Sequence, residues 1–236
     1  MLEEKQKYWI LIKVKWIVVF IILAFVIYGS HTLSQYVAGT QVQEAKTEVI
    51  LDAGHGGDDP GKIGVNKVKE KDLNLQITIK VKAYLEKENV TVKLTRETDE
   101  GLEPQGAQNK KIEDMKARVK MINEVQPTIV VSIHQNSYQT EDVKGAQVFY
   151  YGHSEKGEKM AKILQEAIRE VDSENHRQAK ANESYYLLKR TEVPTIIVEC
   201  GFLSNWEEAG KLADEDYQNQ IAQAIGKGIL ECIGKN

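Results

Sequence analysis

The sequence predicts an α/β fold in a single domain. It should contain a twisted, mostly parallel or mixed sheet of about six strands flanked by helices, preceded by an N-terminal hydrophobic helix. Three observations lead to this prediction. Short apolar runs alternate along the chain with amphipathic stretches of helical period. Polar residues follow several of these runs directly, at the strand ends where α/β proteins bind ligands. Beyond the N-terminal segment about 190 residues remain, which is an ordinary size for one domain.

The first half of the domain supplies three strands and two helices. A short apolar run predicts a strand at Glu48–Leu51, and apolar residues at helical spacing predict a helix over Glu70–Glu88. Alternation of apolar and polar residues predicts a strand at Val90–Leu94. An amphipathic helix over Lys111–Glu124 then precedes a buried strand at Thr128–Ile133.

The second half continues the alternation. Apolar runs predict strands at Ala146–Tyr151, Tyr185–Leu188 and Thr195–Val198, and a polar loop covers Asp172–Ser184. Three further helices are predicted in this half: Glu155–Val171, a short one beginning near Asn205, and Asp214–Cys232.

The N-terminal segment, residues 1–30, has the character of a signal or an anchor. The uninterrupted apolar run Trp16–Tyr28 suits a signal peptide, whose apolar region has about 7–15 residues. Counting over Trp9–Gly29 instead reaches the roughly 20 residues of a membrane span. We favour an uncleaved anchor over a removed signal peptide. Lys13 and Lys15 favour an N-terminus inside the cell, so either alternative places the domain outside the cytoplasmic membrane.

The composition of the chain limits the classes of molecule and metal site that it could bind. Residues 31–46 are polar and form a predicted tether, which leaves residues 47–236 as the folded domain. The formal net charge of -4 argues against broad electrostatic binding, so no nucleic acid partner is expected. The chain has two cysteines, Cys200 and Cys232, too few for a CxxC-type zinc site. Two buried free thiols are the favoured interpretation, and a single disulfide is the alternative in an exported protein.

The candidate site lies where polar residues follow apolar runs. His55 lies in the glycine-rich turn Asp52–Gly57 after the first strand, His134 follows the third, and Glu199 follows the last. Glu70 opens the first helix. Taken singly, such residues are usually hydrogen-bonded surface groups or favourable helix-terminal charges. Together, two imidazoles and a carboxylate match a common ligand set of catalytic zinc.

The two glutamates have to divide two roles, metal ligand and general base. The residue types alone do not decide between them. A glutamate that ends a buried strand should have a raised pKa, which suits a base, and on this ground we assign Glu199 as the base and Glu70 as a ligand. His31, His153 and His176 lie in polar surroundings and are not predicted to belong to the site.

At these residues the chain resembles the zinc-dependent N-acetylmuramoyl-L-alanine amidases of the Amidase_3 type. The resemblance extends over about Glu48 to Ile233. One departure is Ala53, where the family's turn has proline. The family pattern consists, in order, of D-P-G-H-G-G, a glutamate opening a helix, T-R, R-x-x-x-x-N, S-x-H-x-N and E-x-G-F-x-S-N. The matches in this chain, in the same order, are Asp52–Gly57, Glu70, Thr95-Arg96, Arg118 with Asn123, Ser132–Asn136 and Glu199–Asn205.

The resemblance implies roles for the site residues. One Zn²⁺ would be bound by His55, Glu70 and His134, and Glu199 would be the catalytic glutamate. The reaction would be hydrolysis of the amide between the lactyl group of N-acetylmuramic acid and L-alanine of the stem peptide, so residues 47–236 would be a zinc amidase catalytic domain. Two arginines in the matched motifs, Arg96 and Arg118, are expected to be structural clamps rather than substrate ligands.

Within the family, a compact anchored chain is similar to the spore-cortex, germination-specific amidases, which help to form muramic-δ-lactam. The alternatives are a vegetative cell-wall amidase for cell separation or turnover, a catalytically silent peptidoglycan-binding module, and a related zinc peptidase. The segment Gln135–Gly145 is too short for the blocking helix that some relatives carry, so regulation is expected from the anchor, metal supply or a separate protein.

The expected partners are the peptidoglycan glycan strand with its stem peptide, and the membrane through the N-terminal helix. A separate regulatory protein is a third candidate partner. The expected location is the outer face of the cytoplasmic membrane, or the cell wall or spore cortex after secretion.

Overall fold

The computed structural model describes residues 9, 13, 15–30 and 48–235. Residues 15–30 are helical and exposed, and they are the described part of helix α1. Among the residues described, no helix combines the length and apolar character needed to cross a membrane. The anchor or signal peptide over residues 1–30 lies partly outside the described residues and the tether over 31–46 wholly so, and both stay predictions.

One six-stranded sheet organises residues 48–235, and its order is β2-β1-β3-β6-β4-β5. The first four strands in this order run parallel, β4 is antiparallel to β6, and β5 is parallel to β4. The predicted mostly parallel or mixed sheet of about six strands is therefore confirmed. The strands are β1 (Val49–Ala53), β2 (Val92–Leu94), β3 (Ile129–Asn136), β4 (Gln147–Tyr150), β5 (Lys180–Ala181) and β6 (Thr195–Phe202).

Helices cover both faces of this sheet, because its central strands are apolar on both sides. Leu51 of β1 packs into the larger core, with residues of α2, α4 and α7, whereas its neighbour Ile50 packs with Ile122 of α3 and Leu187 of α5 on the other face. The helices of the domain are α2 (Glu70–Lys87), α3 (Lys110–Val125), α4 (Glu155–Arg169), α5 (Tyr186–Arg190), α6 (Trp206–Ala213) and α7 (Glu215–Ile233).

The predicted strand at Tyr185–Leu188 is wrong, since the chain forms helix α5 there. The side chain of Asn182 accepts the Tyr185 N–H, and the Lys189 N–H donates to the Tyr185 carbonyl, so the backbone turns into a helix. A four-residue apolar run cannot distinguish the two structures by periodicity. The sixth strand is instead β5, Lys180–Ala181, which lies in the predicted polar loop and is exposed.

Two strands extend further than predicted. His134 and Glu199 do not follow their strands but lie within β3 and β6, where the register pairs them directly. The apolar runs mark only part of each strand, because the ladder of backbone hydrogen bonds continues regardless of side-chain polarity. The consequence for the site is that both side chains are held by the sheet, where the β3–β6 register shifts between His134 and Asn136.

Candidate metal centre and catalytic site

His55 lies just beyond β1, in a left-handed backbone conformation with φ of 61°. The guanidinium of Arg118 holds this turn by donating to the His55 carbonyl oxygen at 2.7 Å. The imidazole Nδ1 lies 2.8 Å from Oδ2 of Asp59. Because a carboxylate only accepts, Nδ1 donates in this contact, and in a neutral imidazole Nε2 is then the atom that keeps a lone pair. That Nε2 atom lies 3.2 Å from Oε2 of Glu70.

Glu70 is the first residue of α2 and only 2% exposed. Its Oε1 lies 2.9 Å from Nδ1 of His134 and accepts the Gln135 N–H at 3.1 Å, and Oε2 accepts the Lys62 N–H at 2.8 Å. Burial alone would raise the pKa of Glu70, but the contacts with His134 and His55 outweigh burial and lower the pKa well below its usual value. The side chain is therefore a carboxylate that faces two imidazoles.

The structure brings together the three residues proposed as ligands. One ligand atom from each of His55, Glu70 and His134 lies within 4.8 Å of the others. Two imidazoles and one carboxylate form a donor set of the catalytic zinc type, in which the remaining coordination position is open. The chemistry of these donors therefore fits a single zinc ion.

Two glycines allow this close approach. A Cβ atom on Gly54 would lie 2.2 Å from Nε2 of His134. At Gly61, which has φ of 66°, a Cβ would lie 2.5 Å from Oε2 of Glu70. Any larger residue at either position would displace a proposed ligand, so the glycines shape a cradle around the three side chains.

Glu199 lies beside this cradle, on β6 next to His134, and is only 6% exposed. Burial raises the pKa of Glu199 above its usual value, against the opposing charge of His134. Its Oε1 accepts a hydrogen bond from the Tyr185 hydroxyl at 3.2 Å. Its Oε2 is buried and has no hydrogen-bond partner among the described residues. A buried oxygen without a partner is costly unless it has a function or a bound molecule to accept from.

The two arginines are structural clamps, as predicted. Arg118 is 1% exposed and forms ion pairs with Asp52 at 2.5 Å and Asp114 at 2.7 Å. Arg96 donates to backbone carbonyls, among them that of Gly54 at 3.1 Å. These contacts fix the turn that carries His55.

One open cavity of about 310 Å³ connects these groups, and its lining includes the three proposed ligands and Glu199. Residues 137–146, between β3 and β4, contain no helix that could cover the cavity. Asp59 and Tyr185 are among the lining residues that the sequence prediction missed. Asp59 could have been predicted, because it is a carboxylate four residues after His55. Tyr185 follows a polar loop that has no recognisable motif or periodicity, so its contact with Glu199 could not be predicted.

The two cysteines are free in the structure. Cys200 is buried in the core of the domain and Cys232 is partly buried. The prediction of two free thiols is therefore confirmed, whereas the prediction that both are buried holds for Cys200 only.

Comparison with known proteins adds a second line of evidence to this geometry. The family model described as N-acetylmuramoyl-L-alanine amidase, Amidase_3, matches residues 49–231. The germination-specific N-acetylmuramoyl-L-alanine amidase of Bacillus subtilis is 40% identical over 185 residues, which cover 77% of this chain and 78% of that protein.

Two solved structures share the fold at substantial identity. The CwlD amidase from Clostridioides difficile, solved in complex with the GerS lipoprotein, matches with a TM-score of 0.77 and 38% identity, over 80% of this chain and 100% of that one. The catalytic domain of CwlV from Bacillus (Paenibacillus) polymyxa matches with a TM-score of 0.72 and 30% identity, over 80% and 99%. The chain therefore belongs to the Amidase_3 family of N-acetylmuramoyl-L-alanine amidases.

Proposed function

We propose that this amidase works with one zinc ion held by His55, Glu70 and His134, and with Glu199 as the general base. The observation that carries the proposal is the convergence of three ligand atoms within 4.8 Å, in a cavity that Glu199 also lines. The substrate is the amide between the lactyl group of N-acetylmuramic acid and L-alanine of the stem peptide.

The different surroundings of the two glutamates support this division of roles. Both oxygens of Glu70 are engaged by imidazoles and backbone N–H groups, so this carboxylate is fixed and ionised. Among the described residues, Glu199 has one oxygen without a hydrogen-bond partner, and burial raises its pKa, which improves its ability to accept a proton. Geometry therefore favours Glu70 as the ligand and Glu199 as the base.

Each step then follows from these positions. A bound zinc ion would supply Lewis-acid polarisation of the scissile carbonyl and would lower the pKa of a water ligand. Glu199 accepts a proton from the attacking water as the water oxygen bonds to the lactyl carbonyl carbon. The same carboxyl group gives this proton to the nitrogen of L-alanine as the C–N bond breaks. The products are a free lactyl carboxylate and a stem peptide with a free amino terminus.

The test is product analysis with purified peptidoglycan, zinc and the full chain. We expect released stem peptides that begin with L-alanine. Glu199→Gln should abolish turnover and keep its zinc, whereas the exposed Glu207→Gln should behave as the unmodified protein. Cleavage between two amino acids, with the lactyl amide intact, would contradict the proposal and favour a zinc peptidase. Loss of zinc from Glu199→Gln would show that the roles of the glutamates are exchanged.

We further propose that the biological substrate is spore cortex, where the reaction contributes to muramic-δ-lactam. The 40% identity to a germination-specific amidase and the 38% identity to the CwlD amidase support this role over a vegetative one. Spores that lack the gene should then lack muramic-δ-lactam. A normal content of this sugar, together with defective cell separation, would instead indicate a vegetative cell-wall amidase.

The proposed location is outside the cytoplasmic membrane, with the N-terminal helix as an anchor. A separate regulatory protein is also proposed, because the CwlD amidase was solved in complex with a lipoprotein and the cavity here has no covering helix within residues 137–146. Fractionation of cells into membrane, wall and cytoplasm would test the location.

A further inference from the structure

The hydroxyl of Tyr185 contacts one oxygen of Glu199 and leaves the other free. It donates to Oε1 at 3.2 Å, while Oε2 is buried without a partner among the described residues. The terminal torsion of a glutamate is broad and roughly two-fold, so an unrestrained carboxylate exchanges its two oxygens. A single hydrogen bond to Oε1 therefore distinguishes two atoms that would otherwise be equivalent.

The position of Tyr185 is itself fixed from two sides. Its backbone N–H donates to the side chain of Asn182 at 2.9 Å, and the Asn182 N–H donates to the carbonyl of Tyr150 on β4 at 2.8 Å. Its ring packs edge-on against Phe149, also on β4, with the centroids 5.6 Å apart. The hydroxyl is thus held by the sheet rather than by a free loop.

This hydroxyl can serve only as a donor to Glu199. Burial and the neighbouring carboxylate both raise the pKa of Tyr185, so the phenol keeps its proton. An ionised carboxylate, for its part, can only accept. The direction of the hydrogen bond is therefore set, with the Tyr185 O–H pointing to Oε1.

We propose that Tyr185 is a positioning residue that holds the carboxylate of Glu199 with Oε2 directed at the attacking water. The proposal rests on the proposed function, in which Glu199 is the base. Tyr185 itself takes no proton and need not touch the substrate. Its effect is preorganisation: the base enters each cycle in its reactive orientation instead of finding it by rotation.

The test compares Tyr185→Phe with a matched control, Tyr151→Phe. Both changes remove only a hydroxyl, and Tyr151 packs in the same small apolar cluster but does not line the cavity. A hydrogen bond to a charged group of this kind corresponds to a loss of roughly 10- to 100-fold in kcat. We expect that loss for Tyr185→Phe, with KM and zinc content unchanged. Tyr151→Phe should keep the kcat of the unmodified protein.

Two results would overturn the inference. An unchanged kcat in Tyr185→Phe would show that the hydroxyl does not orient the base. A raised KM with unchanged kcat would show that Tyr185 binds substrate instead. Glu199→Gln measured in parallel separates this inference from the function itself: if that variant is inactive and Tyr185→Phe is normal, only the positioning role fails. If Glu199→Gln keeps its turnover, the proposed base is wrong and the positioning role fails with it.

Discussion

Asp52 connects the elements that surround the site through hydrogen bonds of its buried carboxylate. Its carboxylate on β1 accepts hydrogen bonds from Thr95 at 2.8 Å, from Ser132 of β3 at 2.5 Å and from Arg118 of α3. Burial alone would raise the pKa of Asp52, but the Arg118 charge and these hydrogen bonds lower it to about 2. Asp52 is therefore ionised within the core, three residues before His55.

This depressed pKa predicts a loss of stability in acid. In the unfolded chain Asp52 should titrate near its usual 3.8, so its ionised form stabilises the fold at all pH values above that. The contribution, about 2 kcal/mol, should disappear as the pH falls from about 4 to about 2. Urea unfolding measured across this range should show the corresponding slope.

Asp52→Asn is the control for that slope. This variant is expected to be less stable at neutral pH, because Arg118 loses a buried partner. Its free energy of unfolding should fall less between pH 4 and pH 2 than that of the unmodified protein. Parallel pH dependence in the two proteins would contradict the assignment to Asp52.

The sequence could predict His55, Glu70, His134 and Glu199 because each lies at a recognisable point, after an apolar run or at a helix start. Their family motifs then fixed the expected roles. Tyr185 could not be predicted in the same way, because its hydrogen bond to Glu199 depends on how a loop and a short helix fold onto β4. The sequence also could not predict that Oε2 of Glu199 has no hydrogen-bond partner among the described residues. Whether a buried atom finds a hydrogen-bond partner depends on three-dimensional packing.

At the scale of elements, Glu208 joins helix α6 to the sheet. Its side chain is 7% exposed and accepts the Phe202 N–H of β6 at 2.7 Å and the Gly145 N–H at 2.8 Å. One carboxylate thus holds the end of β6, the strand of Glu199, to the segment that enters β4.

Glu208→Ala should therefore destabilise the domain. Two buried backbone N–H groups would lose their acceptor, at a cost of about 2–4 kcal/mol in the free energy of unfolding. The adjacent Glu207→Ala is the matched control: Glu207 is 58% exposed and pairs with Lys211 on the surface, so the change should leave the free energy of unfolding nearly unchanged. Chemical denaturation of both variants gives the comparison, and equal effects would show that the buried contacts of Glu208 contribute nothing.

The long helices were predictable, whereas helix α5 and strand β5 were not. Helices α2, α3, α4 and α7 have enough turns for an apolar face to repeat, and each appears within two residues of its predicted bounds. Helix α5 has five residues and strand β5 has two, so neither contains a period to recognise. Their structure is decided by neighbours, through the Asn182 side chain and through pairing with β4.

At the scale of the whole molecule, the proposed metal ligands come from three separate segments of the domain. His55 follows β1, Glu70 opens α2 and His134 lies on β3. A ligand that binds only the folded chain stabilises it by mass action. We therefore expect zinc at 100 times its Kd to raise the free energy of unfolding by about 2.7 kcal/mol.

Urea unfolding of the full chain, with zinc and with a chelator, would measure this increase. His134→Ala removes one ligand without filling the cradle, and its stability should no longer respond to zinc at the same concentration. A response of equal size in His134→Ala would show that the ion binds elsewhere.

The separation of the ligands along the chain also sets an order of events. Glu70 and His134 are 64 positions apart, and they meet only when β3 has paired in parallel with β1. Such long-range parallel pairing is a slow part of folding. A zinc ion that needs all three proposed ligands would therefore bind only after the sheet has formed, so it would retard unfolding rather than direct the search for the fold. If the chain crosses the membrane unfolded, such an ion would bind on the far side.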